Sequence, residues 1–177
     1  EAIAFIQKNA AQPFFVYIAH TMPHTRLDAS PRFKGTSRRG LYGDVIEEID
    51  AGVGQILSTL EELNLSEETL VVFTSDHGEE FMDHGFVEHG WTLYEEVVRV
   101  PLVIWSPGRW SGPVTVDDRI SVAAVASTAL ATARAAEPSA HQIMKRANDN
   151  RRLAGQYVGA AEAVNLSLVR APKGPKD

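Results

Sequence analysis

Leu70-Val71-Val72-Phe73-Thr74-Ser75-Asp76-His77-Gly78-Glu79 is an apolar, β-rich run of strand length that ends abruptly in a carboxylate, an imidazole and a glycine. In parallel α/β sheets, ligands sit beyond the carboxyl ends of the strands, so two metal-capable side chains released there are placed for chemistry. Neighbours in an extended strand point to opposite faces. Joint use of Asp76 and His77 therefore requires the strand to end and the chain to turn at Gly78.

Upstream, Phe14 to Ala19 is a near-continuous apolar and aromatic run, which reads as a strand buried on both faces. Between the two runs, Leu41, Val45, Ile49, Val53, Ile56, Leu57, Leu60 and Leu63 recur at spacings of three and four, predicting one long amphipathic helix from about Arg38 to Leu63. Gly43, Gly52 and Gly54 cost about 1 kcal/mol each inside a helix, and close packing against a sheet would account for them. The order is β-α-β. Val100 to Trp105 predicts a third strand, with a helical turn at Thr92 to Val98 before it and the turn Pro107-Gly108 after it. Glu1 to Ala10 reads as the end of a helix closed by Asn9 and Pro13, and His20 to Gly40, with Pro23, Pro31 and Gly35, as a long loop. Ile120 to Ala136 is alanine-rich and reads as helical, whereas Glu137 to Asp177 has no clear period and its last part is expected to be disordered.

Composition narrows the function. The 177 residues suffice for one core, and 17 Lys+Arg against 23 Asp+Glu leave a formal charge of -6. No basic stripe interleaves with aromatics, so nucleic acid is not an expected partner, whereas acidic carboxylates suit a cation. There is no cysteine, which excludes disulfides, thiolate metal sites and a cysteine nucleophile within the chain. No apolar run reaches the roughly 18 to 20 residues of a membrane span. The chain opens on Glu1 inside apparent helix, so a missing beginning is expected and the lack of a signal segment says nothing about export.

Two constellations carry the chemistry. His20-Thr21-Met22-Pro23-His24 follows the first strand as Asp76-His77 follows the second, and parallel strands would bring both to one edge. The H-x-x-x-H spacing is not a zincin site, because Pro23 disfavours helix and no glutamate follows His20. The plainer reading makes these loop histidines bonded to backbone. Asp76 at a rigid strand end suits a hard divalent ion, and His77 beside it widens the choice to manganese or zinc. Glu79, Glu80 and Asp83 read as a solvated acidic helix start or turn, and His84 as a surface residue. His89, between Gly85 and Gly90, can swing toward an anion at the metal.

Pro13-Phe14-Phe15-Val16-Tyr17-Ile18-Ala19-His20-Thr21-Met22-Pro23-His24, Phe33-Lys34-Gly35, Arg39 to Asp50, Thr69 to Glu79, and Glu88-His89-Gly90 through Leu93-Tyr94-Glu95 to Arg99-Val100-Pro101-Leu102 together resemble the second half of the sulfatase catalytic domain, within the alkaline phosphatase superfamily. The resemblance runs from about Pro13 to Pro107. It implies an alkaline-phosphatase-like α/β fold, incomplete here, with a mostly parallel sheet flanked by helices on both faces. It assigns Asp76 and His77 to one divalent ion, usually calcium, with manganese the alternative. It makes His24 the contact to sulfuryl oxygens or leaving group, and puts His89 where the family commonly has a sulfate-contacting lysine. Many arylsulfatases have asparagine at the place of His77; the Asp-His form is similar to a branch with some glycan sulfatases and phosphonate monoester hydrolases.

The family's nucleophile is a formylglycine made from Cys or Ser in a C/S-x-Pro-x-Arg segment of the N-terminal half, which also supplies two aspartates to the metal. That segment is not found here, and Ser106-Pro107-Gly108-Arg109 has the wrong spacing. Where the family has Asp-x-x-Pro-Thr-Leu, the chain has Ala124-Val125-Ala126-Ser127-Thr128-Ala129. The expectation is a partial sulfatase catalytic domain over 1–137 and an unassigned, partly disordered tail over 138–177. The expected substrate is a sulfated small molecule or glycan, and the expected partner is the N-terminal half of the catalytic domain. The isolated chain is expected neither to turn over substrate nor to bind calcium tightly. The alternatives are a phosphodiester or phosphonate monoester hydrolase, or a non-catalytic remnant. For the intact protein, periplasm and secretion stay open.

Overall fold

The computed structural model describes residues 1–110, 112–116, 119–125 and 164–170, and in the last segment the side chains of Leu168 and Arg170. The elements are α1 (Ala2–Lys8), β1 (Phe14–His20), α2 (Gly40–Glu62), β2 (Thr69–Ser75), α3 (Glu95–Val98), β3 (Leu102–Trp105) and β4 (Val164–Arg170), with short 3-10 turns at Ser66–Glu68 and Val122–Ala124. Of the predicted helix over 120–136, residues 120 and 121 are irregular, the second turn and Val125 are helical, and 126–136 lie outside the described residues.

The long helix forms where the periodicity places it. Val45, Ile49, Ile56 and Leu60 are buried along one stripe. Its C-terminal half packs with Ile6 of α1 onto Phe14, Val71 and Leu168, which makes the main core. Its N-terminal half packs Val45 and Ile49 against Ala29, Met22, Leu27 and Phe33 of the loop after β1. That loop is also tied by polar bonds. The buried Asp44 carboxylate accepts from Gly35 N and Ser37 N, both at 2.8 Å, and Glu48 Oε2 accepts from Ser30 N at 2.8 Å. These amide bonds hold the Asp44 carboxyl below its ordinary range. Of the three helix glycines, only Gly43 sits at a close approach, and its neighbours are Ser37 and Arg39 of the loop rather than the sheet; Gly52 and Gly54 face open space.

The sheet order is β1-β4-β2-β3, and each described ladder is antiparallel. Parallel pairing, expected from the β-α-β order, is therefore not found among the described strands. β1 and β2 still run in the same direction, because each is antiparallel to β4 between them. The strand responsible, residues 164–170, falls in the unassigned tail. Its sequence, Val164-Asn165-Leu166-Ser167-Leu168-Val169-Arg170, alternates apolar and polar over five residues, a period-two signal. Arg170 anchors it: the guanidinium donates to the Ala10 carbonyl, to the Gln12 carbonyl at 3.0 Å, and pairs with Glu68 at 3.2 Å.

β1 is not buried on both faces. Phe14, Val16 and Ile18 turn toward the core, while Phe15 and Tyr17 on the other face are 48% and 55% exposed. Among the described residues, α1 and α2 both pack on the Phe14–Val16–Ile18 face of β1. Opposite them, Leu70 and Val72 of β2 are covered by Trp110 and Val125 together with the flanking Leu102 and Ile104.

Leu60 has no exposed surface and lies at the centre of the main core. Leu60→Ala is expected to cost about 2–5 kcal/mol, the usual range for emptying such a site. The check is a lower urea midpoint with an unchanged denaturant slope.

Candidate functional site

Because β1 and β2 run the same way, their carboxyl ends reach one edge of the sheet. In register, His20 pairs with Val164 and Val164 with Ser75, so the last residues of β1 and β2 share one rung. Two strand spacings separate them, roughly 10 Å.

Beyond Ser75 the chain turns sharply. Ser75 Oγ donates to the His77 carbonyl at 2.7 Å, and Gly78 N donates to the Val97 carbonyl of α3 at 2.8 Å. Gly78 is required for a reason other than conformational freedom: a Cβ there would collide with the Glu96 carbonyl oxygen. The following loop folds back on itself, with Glu80 N donating to the Glu88 carbonyl at 3.2 Å and Met82 N to the Phe86 carbonyl at 2.8 Å. Gly85, at φ +86°, makes the reversal.

That reversal lays His89 on His77. The two imidazoles stack with centroids 3.9 Å apart and planes 29° apart. His77 Nδ1 donates to the Gly78 carbonyl at 2.9 Å, which leaves Nε2 as the ligating nitrogen, and this Nε2 is buried with no hydrogen-bond partner among the described residues. His89 Nδ1 donates to Glu79 Oε1 at 2.7 Å. Asp76, whose side chain is 16% exposed, has Oδ2 4.0 Å from His77 Nε2. His77, Glu79 and His89 each offer a ligating atom, and these lie within 4.8 Å of one another.

The structure thus brings together His77, Asp76 beside it, and His89. His24 is placed differently: it lies in the loop after β1, its Nδ1 against the Thr25 carbonyl, and it is not part of the close cluster. Its neighbour in the motif, His20, lines a cleft of ≈ 670 Å³ between that loop and α2. Burial lowers the His20 pKa from its ordinary 6.5.

Of the acidic run expected to be a solvated helix start or turn, Asp83 is exposed in a turn, but the two glutamates are not solvated. Glu79 is mostly covered and pairs with His89, and Glu80 is 1% exposed, accepting from Thr92 Oγ1. Neither pairing has a sequence signal, because the partners lie 10 and 12 residues away on a non-repetitive loop. Tyr42, in the first turn of α2, is a further residue at this site. Its hydroxyl is pushed up in pKa by burial and then by the Glu79 charge, and its ring packs edge-on against Phe81 at 4.8 Å. His84 is a surface residue, as expected, but stacks on Tyr94 at 3.7 Å and donates to Glu96 at 2.5 Å.

The donor set fits a divalent cation: two imidazoles and the Glu79 carboxylate converge, the Asp76 carboxylate lies against His77, and the His77 Nε2 is buried with no hydrogen-bond partner among the described residues. No helix among the described residues is long and apolar enough to cross a membrane.

Two outcomes follow from this geometry. Gly78→Ala is expected to separate α3 from the strand end and break the His77–His89 stack, read as loss of the mutual ring-current shifts of the two imidazoles in NMR spectra. For His20, the folded pKa lies below the unfolded 6.5, so the unfolded chain takes up its proton first. Stability contributed by this group is full above pH 6.5 and falls as pH drops through 6.5 toward the folded value. A histidine NMR titration should give His20 a midpoint below 6.5, and His20→Gln should flatten that part of the stability curve.

Comparison with known proteins agrees with the motifs. The sulfatase family model matches residues 1–135. N-acetylgalactosamine-6-sulfatase of Canis lupus familiaris is 39% identical over 149 residues, covering 78% of this chain and 28% of the relative. Steryl-sulfatase of Mus musculus is 44% identical over 126 residues, 62% of this chain and 20% of the relative. An arylsulfatase of Hemicentrotus pulcherrimus is 38% identical over 139 residues, 73% of this chain and 25% of the relative. The chain spans a fifth to just over a quarter of the length of these relatives. With its strand-end acid and imidazole, its histidine-bearing loop and a match over most of its length, the chain belongs to the sulfatase family.

Proposed function

We propose that this chain is the metal-binding edge of a sulfuric ester hydrolase, cleaving sulfate esters in the intact protein. The observation that carries the reading is the convergence of His77, Glu79 and His89 beside Asp76 at the carboxyl end of β2, in a chain of this family. Asp76 and His77 would hold one divalent ion, calcium or manganese. When bound, such an ion polarises the sulfuryl oxygens and stabilises their developing charge.

The residues of the chain act around it. The Gly78 carbonyl fixes the His77 tautomer, so the imidazole is presented with its Nε2 outward from that bond. Glu79 holds His89 Nδ1 and supports a positive charge on that ring, which makes His89 a donor to a bound sulfate oxygen. His24, on the loop braced by Asp44 and Glu48, donates a proton to the departing alkoxide. The nucleophile, a formylglycine, and further metal ligands would come from the N-terminal half of the catalytic domain. The names of the relatives suggest a glycan, steroid or aryl sulfate for this site.

The test is the full-length protein assayed on nitrophenyl sulfate and on a nitrophenyl phosphodiester side by side. Faster sulfate cleavage supports the reading, and faster diester cleavage transfers the site to the phosphodiester and phosphonate hydrolases of the superfamily. His24→Ala is expected to lower kcat by about 10²–10⁴-fold, the range for losing a general acid. Asp76→Ala is expected to abolish turnover together with metal content. Full activity of the Asp76→Ala protein would overturn the reading.

A further inference from the structure

The ion assigned above rests on oxygen ligands, yet the tightest cluster on the chain is rich in nitrogen. His77, Glu79 and His89 offer ligating atoms all within 4.8 Å, and Asp76 is not one of the three. Their preparation is that of a borderline ion's ligands. His77 Nδ1 is bonded to a backbone carbonyl, and its Nε2 is buried without a hydrogen-bond partner among the described residues. His89 Nδ1 and Glu79 Oε1 lie 2.7 Å apart across a shared proton, so an ion bound by both atoms takes that proton's place. Two imidazoles stacked at 3.9 Å repel if both are charged, and a metal lone-pair bond relieves this by using both neutral rings. Zinc-class ions prefer imidazole nitrogen, at about 2.0–2.1 Å, whereas calcium takes six to eight oxygens. Tetrahedral bonds of that length set ligand atoms roughly 3.3 Å apart, so closure from within 4.8 Å asks for rotamer adjustment at three partly exposed side chains.

We propose that His77, Glu79 and His89 form a site for a zinc-class transition ion, which this chain binds by itself and which competes with the hard ion for His77. The two donor sets share one imidazole, so occupancy is exclusive: zinc on His77 and His89 withdraws both from the sulfate-binding arrangement. A transition ion of this class is thereby an inhibitor of the site rather than its cofactor. Binding by the chain does not depend on the hydrolase reading, while the inhibitory consequence does.

The experiment is titration of the purified 177-residue chain with Co²⁺, followed by its visible d–d absorption and by paramagnetic broadening of histidine NMR signals. Expected is a one-to-one absorption band, removed by equimolar Zn²⁺ but not by a hundredfold excess of Ca²⁺, with His77 and His89 broadened. His89→Gln and Glu79→Gln are expected to weaken binding by about 10–100-fold, while the surface change His84→Gln alters it less than about twofold. Far-UV dichroism checks that each variant is folded, and the broadening pattern of the unmodified chain identifies the ligands without any variant. No band, broadening confined to other histidines, or binding lost in Asp76→Asn but kept in His89→Gln would each overturn the proposal. Sulfate hydrolysis by the full-length protein is read separately, so failure here and failure of the hydrolase reading are distinguishable.

Discussion

Backbone hydrogen bonding along β4 is what the rest of the structure leans on. Among the described residues, β1 pairs with β4 alone, and β4 also lies along the full length of β2. A buried strand with unpaired amides and carbonyls would lose far more than its side chains regain, so β4 is the condition for β1 and β2 to share a sheet. Leu168 at its centre is fully buried in the core that α1 and α2 cover, and Arg170 at its end ties together the α1–β1 link and the 3-10 turn before β2. Alignment of the two strand ends, and with it the placing of the histidine loop and the Asp-His turn on one edge, follows from that central strand.

At the edge itself, steric exclusion does the positioning. The absence of a side chain at Gly78 lets α3 close on the strand end, and α3 in turn receives the Gly78 amide. The next ten residues then return through a loop whose own backbone bonds are few, and its end is held by side chains: Glu79 on His89, Thr92 on Glu80, Phe81 on Tyr42. The strand side of the candidate site is thus set by backbone packing and the loop side by side-chain contacts, an arrangement that would suit the proposed ion and sulfate. The exposed Phe15, Tyr17, Trp91 and Leu93 show that much apolar surface lies around these elements uncovered by the described chain.

Much of this was legible because period and chemistry agree locally. A three-to-four spacing over more than twenty residues has one solution, and α2 takes it; an apolar run ending in Asp-His-Gly likewise announces a strand end and a turn. The errors have equally local causes. β1 looks continuous and apolar, but burial on both faces depends on what covers it. Glu79 and Glu80 look solvated because a row of acids usually is, and nothing in the row reveals a histidine ten residues on or a threonine twelve on as partners. β4 had a usable alternation that was outweighed by its setting between stretches without period.

The amino-acid sequence by itself determined the family, the long helix and the second strand with the Asp76-His77 turn after it, since each rests on contacts between residues close in the chain or on motifs whose chemistry is fixed by residue type. The tertiary structure alone decided the strand order among the described residues, the packing of α1 and α2 on one face of β1 and the joining of His89 and Glu79 to His77. Those depend on loop closure and on hydrogen bonds between segments from 10 to more than 90 residues apart, where the free energy is set by which partners meet and not by what either segment prefers alone.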